Sequence, residues 1–377
     1  MDLTTHVGDI EFRTPLILAS GYITETPELF LSARELGCSA MVTRSLREKV
    51  PEERCNTPAP RYHVFDQESM LNCEWSNEND WAWWLDKWAS TVMSTGDPLI
   101  ISVSARDIEG CKRVVNAFTE TSLASAFEVN VSCAHSGVLH GNLNTNIDHL
   151  KSVVSEIRRS TRLPVWVKLS YSQIMREMAM AAEAEGANAI VCTNTIGPGL
   201  AIDTNTTKLK LGIHGGAGGV SGPAIFPIAL WCVYQIAQSV EIPIVGSWGI
   251  NSSDKALQML MAGAHAVQMY TAPALRGPHV FGPILHGMTE FLQGHDEFNG
   301  LQELVGCSQE WASDQTRFEA KVPITTPKYC TNCRQCERAC AFQAISFHKC
   351  LTIDSAHCVG CNACVGVCPS GAITAQF

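Results

Sequence analysis

The chain carries no run of lysine or arginine, and acid outweighs base, with 27 Lys and Arg against 37 Asp and Glu and a net charge of -10. Polyphosphates and anionic lipid surfaces are held by basic patches, so neither nucleic acid nor a membrane surface is an expected partner. No stretch approaches the ~20 consecutive apolar residues of a membrane helix. The opening Met1-Asp-Leu-Thr-Thr-His-Val-Gly8 has neither a basic start nor an apolar run, so a soluble cytoplasmic protein is expected. A Gly-x-Gly-x-x-Gly turn after an early strand is also missing, which argues against an open, doubly wound dinucleotide-binding sheet. Apolar residues, by contrast, make up 46% of the 377, enough for one large domain and a small one.

Cysteine is plentiful, at 17, and unevenly spread. Eight fall in the runs Cys330-x2-Cys333-x2-Cys336-x3-Cys340 and Cys358-x2-Cys361-x2-Cys364-x3-Cys368-Pro369. Disulfides do not persist in a reducing compartment, so such a cluster points to metal. Two successive runs of this spacing specify two 4Fe–4S clusters, the fourth cysteine of each run ligating the other cluster. On that rule Cys330, Cys333, Cys336 and Cys368 hold one, and Cys358, Cys361, Cys364 and Cys340 the other. Zinc takes four ligands per site and has no use for the third, evenly spaced cysteine of each run. Ala341 stands where proline usually follows the fourth cysteine, which alters a turn and removes no ligand. The other nine cysteines, from Cys38 to Cys350, show no paired spacing and mostly read as small buried residues.

Upstream, short apolar runs alternate with segments of helical period. Pro15–Ala19, Ala40–Thr43, Pro98–Val103, Phe127–Val131, Val165–Leu169, Ala189–Thr193, Ile242–Gly246 and Ala266–Met269 make eight candidate strands. Asp148–Ser160, Ile174–Glu185, Pro223–Ser239 and Asp254–Ala262 are among the helices expected between them. Eight strand–helix units in about 290 residues match a parallel eight-stranded barrel. The expected class is α/β, a (β/α)8 TIM barrel followed by a small α+β ferredoxin-like domain. Residues 1–297 are assigned to the barrel, 298–327 to a connecting segment that is helical over Phe298–Ala320, and 328–377 to the cluster domain.

In such a barrel the carboxyl ends of the strands carry the site. The stretch Phe127-Glu-Val-Asn-Val-Ser-Cys-Ala-His135 runs an apolar strand into Asn130, Ser132, Cys133 and His135. A polar, glycine-containing loop follows, suited to closing over a ligand. The other strand ends are Ala19-Ser20-Gly21, Thr43-Arg44-Ser45, Lys168, Thr193-Asn194-Thr195, Gly246-Ser247-Trp248-Gly249 and Tyr270-Thr271. Small residues after strands 7 and 8, each followed by a helix, suit a phosphate. The glycine-rich stretch Gly215–Gly222, with Gly219, Ser221 and Gly222, reads either as a further phosphate site or as a flexible loop. Lys168 in a buried strand is costly unless paired. A salt bridge across the barrel and a charge partner for a flavin ring are both open, and the second is preferred. Asn72 and Glu74 suit an amide-type ring, since Asn offers a donor and an acceptor. A helix cap at Asn72 or Ser76 is the alternative. Trp81, Trp83, Trp84 and Trp88 read as helix-packing residues.

On Asn130-Val-Ser-Cys-Ala-His135, Lys168, Asn194-Thr195, Gly218-Gly-Val-Ser-Gly222 and Pro227-Ile-Ala-Leu230, the barrel resembles the dihydroorotate dehydrogenase family of FMN enzymes. With the cluster domain attached, the chain is similar to the pyrimidine-reducing part of dihydropyrimidine dehydrogenases. The resemblance implies Cys133 as general acid and base, and Asn72, Asn130, Asn194 and Thr195 as residues that hold a pyrimidine. It implies FMN contacts at Ser20, Lys168, Gly219, Trp248, Gly249 and Thr271. Glu74, Ser132 and His135 complete the expected substrate site; Ala19, Gly21, Arg44, Ser45, Ser221, Gly222, Ser247 and Tyr270 complete the expected cofactor site. Asn72-x-Glu74 is similar to the dihydropyrimidine branch, whereas dihydroorotate enzymes usually have Asn-x-x-Gly there, and this favours uracil or thymine. Three positions depart from the family: Arg44 replaces lysine, Trp248 a glycine of the phosphate turn, and Tyr270 a small residue. Arginine and lysine are not interchangeable at such a site.

The expected reaction is hydride transfer between flavin N5 and one carbon of a C=C bond, with Cys133 moving a proton at the adjacent carbon. A thiol of ordinary pKa near ~8.5 is protonated at neutral pH and suited to donation, which favours reduction to the 5,6-dihydropyrimidine. Dihydroorotate oxidation and reduction of another conjugated ring or alkene are the alternatives. From another class, the chain could be an electron-transfer subunit. Hydride carries two electrons and a 4Fe–4S cluster one, while flavin handles both. No second nucleotide-binding domain is evident, so an electron partner is expected, either an FAD/NAD(P)-binding subunit or a ferredoxin, in a homo- or hetero-oligomer.

Overall fold

The computed structural model describes residues 2–48, 59–73, 79–93, 95–105, 108–131, 145–213, 215–309, 321–347 and 351–376. It divides into two compact units, Met1–Gln309 and Glu310–Phe377.

The first unit is a closed barrel of eight strands: Leu16–Leu18, Ala40–Val42, Leu99–Ser104, Ala126–Asn130, Val165–Leu169, Ala189–Cys192, Ile244–Ser247 and Ala264–Met269. Each pairs in parallel with the next, and the eighth with the first. These are runs of Val, Ile, Leu and Ala because a parallel strand is covered on both faces. Alternation within each strand still matters. One register, including Leu18, Met41, Ile101, Phe127, Val129, Val167, Ile190 and Val267, joins the core shared with the helices. The other, including Ile17, Val42, Ile100, Ala126, Trp166, Val191, Val245 and Ala266, forms a separate inner layer. Toward the carboxyl ends that inner register turns polar. Ser102 follows Ile100, Glu128 follows Ala126, Lys168 follows Trp166 and Gln268 follows Ala266, all of them buried. An N-terminal hairpin, Thr5–Val7 with Ile10–Phe12, adds Val7 and Phe12 to the apolar layer, and the Phe12 ring packs 6.2 Å from that of Trp166.

The helices follow local signals. Asn146 caps Ile147–Ser160 by accepting the His149 N–H at 2.9 Å, and Ser252 caps Ser253–Met261 in the same way. In the helix Trp81–Met93, Trp84 and Trp88 stack at 5.3 Å and are buried, as expected of packing residues. Among the described residues no helix is long and apolar enough to cross a membrane.

The sequence reading had no place for an antiparallel sheet outside the barrel, with strands in the order Ile196–Gly199, Gly218–Ser221, Ser69–Asn72 and Tyr62–Phe65. The glycine-rich stretch is therefore not a flexible loop over Gly218–Ser221, and Asn72 is a strand residue and no helix cap. The glycines are there for close backbone approach. A Cβ on Gly218 would lie 2.5 Å from the Asn72 carbonyl oxygen, and one on Gly219 2.5 Å from Thr195 Oγ1. The expected helix over Phe298–Ala320 is also revised. Its described part, to Gln309, holds the 3-10 turn Leu301–Leu304, whose two leucines are buried in the barrel unit's core, followed by turns. Gln309 Nε2 donates to the Ala262 carbonyl at 2.6 Å. The remainder of that segment lies outside the described residues.

The second unit contains the short antiparallel pairs Ile324–Thr325 with Ile373–Thr374 and Ile345–Phe347 with Leu351–Ile353, and the helical turns Gln335–Ala339 and Ala363–Gly366. Its two halves repeat at a spacing of 28 residues, Cys330 to Cys358. The backbone repeats with them. Asn332, Arg334 and Gln343 have φ of 54, 56 and 53°, and their equivalents Gly360, Asn362 and Gly371 have 68, 58 and 63°. Left-handed residues at matching places turn each run of cysteines inward in the same way.

Candidate active site and cluster cage

Beneath the barrel mouth lies a closed ring of buried polar groups. Lys168 Nζ donates to Glu128 Oε1 and to Gln268 Oε1, both at 3.1 Å, and Gln268 Nε2 donates to Glu128 Oε2 at 2.7 Å. Lys168 is 3% exposed and Glu128 fully buried, so each charge persists only because the other neutralises it. The salt bridge is therefore real but joins neighbouring strands, and it is the bond to Gln268 that crosses the barrel. Lys168 nonetheless pairs in register with Asn130, one strand away, so the cation lies below the amides described next. Glu128 and Gln268 were not anticipated. The signal was present, since a Glu between Phe127 and Val129 and a Gln between Val267 and Met269 interrupt strands that are otherwise apolar.

Above the ring, strand ends converge into one amide network. Asn194 Nδ2 donates to Asn130 Oδ1 at 3.1 Å, and Asn130 Nδ2 to Ser45 Oγ at 3.4 Å. Ser45 Oγ in turn is 2.9 Å from Ser102 Oγ. The Thr195 N–H donates to Asn194 Oδ1 at 2.8 Å. The outer sheet brings Asn72 alongside, its Nδ2 donating to the Gly219 carbonyl at 3.1 Å. Asn72, Asn130, Asn194, Thr195, Ser45 and Gly219, drawn from distant parts of the chain, thus form one wall rich in amide donors and acceptors.

On the other side, Thr271 Oγ1 donates to Ser221 Oγ at 2.9 Å and Ser221 Oγ to the Met70 carbonyl at 3.3 Å. Beside them is a small hollow lined among others by Gly222, Trp248, Gly249, Gln268, Tyr270 and Thr271. It is a cradle of backbone. Gly222 and Gly249 have φ of +90 and +79°, and a Cβ on either would lie within 2.6 Å of neighbouring atoms. Backbone walls of this kind, with two left-handed glycines, suit an anionic group such as the phosphate of an FMN. The two aromatic departures flank it, with Trp248 and Tyr270 ring centres 6.4 Å apart. The Tyr270 ring lies so close to Gly21 that a Cβ there would be 2.1 Å from it, which accounts for glycine at that position. Ala19 donates its N–H to the Met269 carbonyl at 2.9 Å, setting Ser20 beside the eighth strand, and Ser247 is buried at the end of the seventh.

Arg44 is buried in an ion pair. Its Nη1 pairs with Glu25 Oε2 at 2.7 Å, Asn79 Nδ2 donates to Glu25 Oε1 at 3.0 Å, and the guanidinium lies 5.8 Å from the Tyr22 ring centre. Glu25 is a partner that sequence reasoning missed, being one of many surface acids in the pattern. Cys133, Ser132, His135 and Glu74 lie outside the described residues.

In the second unit, Cys340, Cys358, Cys361 and Cys364 all line one small cavity. Cys340 belongs to the first run and the other three to the second, which is the crossed set that the spacing predicts. The other set is marked by proximity: burial raises the Cys336 thiol pKa, and the charges of Cys333 and Cys368 raise it further. Among the described residues no three His, Cys, Asp or Glu side chains converge closely enough for a single metal ion. The Ala344 N–H donates to Cys340 Sγ at 3.3 Å, a bond that stabilises a thiolate ligand.

A family model for dihydroorotate dehydrogenase matches residues 2–292, and one for a 4Fe-4S binding domain matches residues 351–374. The chain is similar to the dihydroorotate dehydrogenase B (NAD(+)) catalytic subunit of Thermococcus kodakarensis, 31% identical over 309 residues, which is 82% of this chain and 98% of that one. The protein of the same name from Pyrococcus horikoshii is 32% identical over 79% of this chain and 95% of its own. That from Methanothermobacter thermautotrophicus is 31% identical over 82% and 99%.

Proposed function

The chain belongs to the dihydroorotate dehydrogenase family, and from that premise we propose that it is the pyrimidine-acting subunit of a flavin and iron–sulfur oxidoreductase, interconverting dihydroorotate and orotate. The observation that carries the reading is the amide wall of Asn72, Asn130 and Asn194 above a buried lysine. A pyrimidine edge alternates carbonyl acceptors and N–H donors, and carboxamides answer both. Asn130 and Asn194, fixed on each other, orient the ring. Lys168 holds positive charge near the point where negative charge gathers, and Glu128 and Gln268 keep that ammonium from moving. Cys133 gives or takes the proton at the ring carbon next to the one that exchanges hydride. Bound FMN would supply the hydride acceptor or donor, and two 4Fe–4S clusters, held by the crossed cysteine sets, would supply one-electron centres.

The electron partner in this reading is an FAD/NAD(P)-binding subunit or a ferredoxin, in line with relatives named as catalytic subunits. A second reading, reduction of uracil or thymine, is favoured by Asn72-x-Glu74 and by Arg44, whose charge is already matched by Glu25 instead of being offered to a substrate carboxylate. The test is anaerobic reduction with dithionite followed by addition of orotate, uracil or thymine, read at the flavin band. Orotate is expected to reoxidise it, and Cys133→Ser to slow that step at least ~100-fold, the usual weight of general acid catalysis. Reoxidation by uracil or thymine alone would establish the second reading, and none by any of the three would remove both.

A further inference from the structure

The second unit is built twice over, so each half serves as a control for the other. Its two cysteine runs repeat at 28 residues with matching left-handed turns, yet the charges do not repeat. Around the first run stand Lys328, Arg334 and Arg338, all exposed, and their equivalents in the second half are Ala356, Asn362 and Gly366. The backbone therefore does not require the cations. Arg334 shows this most directly. It holds φ of 56° where Asn362 holds 58°, and asparagine is the residue that tolerates that region at little cost.

The cations gather at one expected ligand set. Arg338 Nη2 donates to the Cys333 carbonyl at 3.3 Å, and the Arg338 N–H bonds the Arg334 carbonyl at 3.2 Å, so both arginines flank the turn that carries Cys336. Lys328 Nζ lies 4.8 Å from the centre of the Tyr329 ring. Tyr329 and Val367, chain neighbours of Cys330 and Cys368, are 55% and 37% exposed, and Cys333 is exposed as well. Apolar side chains beside the ligands and cations around them are what a transient electron-transfer contact needs, close approach from the first and steering from the second. The sign of the partner follows from the charge balance. Residues 321–377 carry five Lys and Arg against two Asp and Glu, while the rest of the chain carries 22 against 35 and repels an acidic protein. We propose that Lys328, Tyr329, Arg334, Arg338 and Val367 dock a small acidic one-electron carrier protein at the set Cys330, Cys333, Cys336 and Cys368. Each encounter moves one electron between the carrier and the centre held there, with no bond made or broken, and two encounters match one hydride. A permanently bound flavin subunit would ask for a larger and more apolar face. The inference rests on the iron–sulfur reading of this unit and not on which pyrimidine the barrel takes.

The test uses the full chain, purified anaerobically with its iron–sulfur centres, and titrates it calorimetrically with a small acidic 2Fe–2S ferredoxin at low and at high salt. Binding that weakens as salt rises is expected. Lys328→Gln, Arg334→Gln and Arg338→Gln together are expected to lower the low-salt affinity roughly tenfold or more. Removing three exposed barrel cations, by Arg159→Gln, Arg162→Gln and Lys208→Gln, is expected to leave it unchanged. Equal weakening by both triple variants would reduce the effect to net charge and overturn the proposal. So would salt-independent binding, or a wild type that binds no carrier. Binding of phosphatidylglycerol vesicles in the carrier's place would assign the cations to a membrane surface and overturn it too. Unchanged visible absorbance shows that the variant keeps its iron–sulfur centres; if it loses them, the wild type's salt dependence and the barrel triple decide. A wild type without that absorbance would refute the iron–sulfur reading itself, and orotate turnover enters none of these readouts, so the two can fail separately.

Discussion

The barrel unit buries Phe30, Trp84, Trp88, Phe118, Phe127 and Phe281 in one core and tolerates a charged pair at its centre, whereas the second unit gathers only Cys336, Ile345, Leu351, Cys364 and Ile373 in its buried cluster. Two of those five are expected ligands. Its strands run two or three residues and its helices five and four. A large apolar core supports a fold and leaves room for functional groups that destabilise it. A unit of this size has little such core, and it is expected to draw its stability from what its cysteines bind. The lysine inside the barrel and the thiols inside the small unit are thus opposite cases: one is tolerated by its fold, the other is expected to hold its fold together through a bound cluster.

The strongest way to break that contrast is to remove whatever iron–sulfur centre the cysteines hold. Chelation under mild oxidation, or Cys364→Ser, is expected to abolish amide protection throughout residues 321–376 while leaving the barrel strands protected in hydrogen exchange. Retained protection in the second unit would mean that its small core suffices. Next in size is the charged pair. Glu128→Gln leaves the Lys168 ammonium buried and uncompensated and is expected to destabilise the barrel by about 3 kcal/mol in urea unfolding. Replacing both, Lys168→Met with Glu128→Leu, should recover most of that loss. If the double change is as harmful as the single one, the ring of Lys168, Glu128 and Gln268 contributes packing beyond charge.

The smallest effect concerns the barrel's surface. Lys210, and then the backbone N–H groups of Thr206 and Asn205, lower the Asp203 pKa from 3.8 to about 2. The folded value lies below the unfolded one, so the contribution is present above pH 3.8 and is lost as pH falls toward 2. Acid unfolding of Asp203→Asn should therefore differ from wild type above that window and converge with it below. Curves that differ equally at every pH would assign the effect to the loop's conformation.

Much of this molecule was legible because it is written locally. All eight barrel strands appear within a few residues of their expected places, since burial on two faces demands largely apolar runs. The crossed cysteine set around the second unit's cavity follows from spacing along the chain. Asn130, Asn194 and Thr195 were found as polar groups at strand ends, where a barrel opens. The outer sheet was not foreseen, because Gly218–Ser221 carries the composition of a loop and becomes a strand only against Ser69–Asn72.

The sequence alone determined which segments are strands, which cysteines act together and where polar groups end the apolar runs, because periodicity and spacing are properties of neighbours. Only the tertiary structure decided which of those groups meet. Glu128 reaches Gln268 across 140 residues, and Asn72 reaches Gly219 across 147, through barrel closure and sheet register that no local pattern encodes. It also decided that Trp248 takes a left-handed backbone angle, since an angle imposed by packing at a strand end cannot be read from the residue that occupies it.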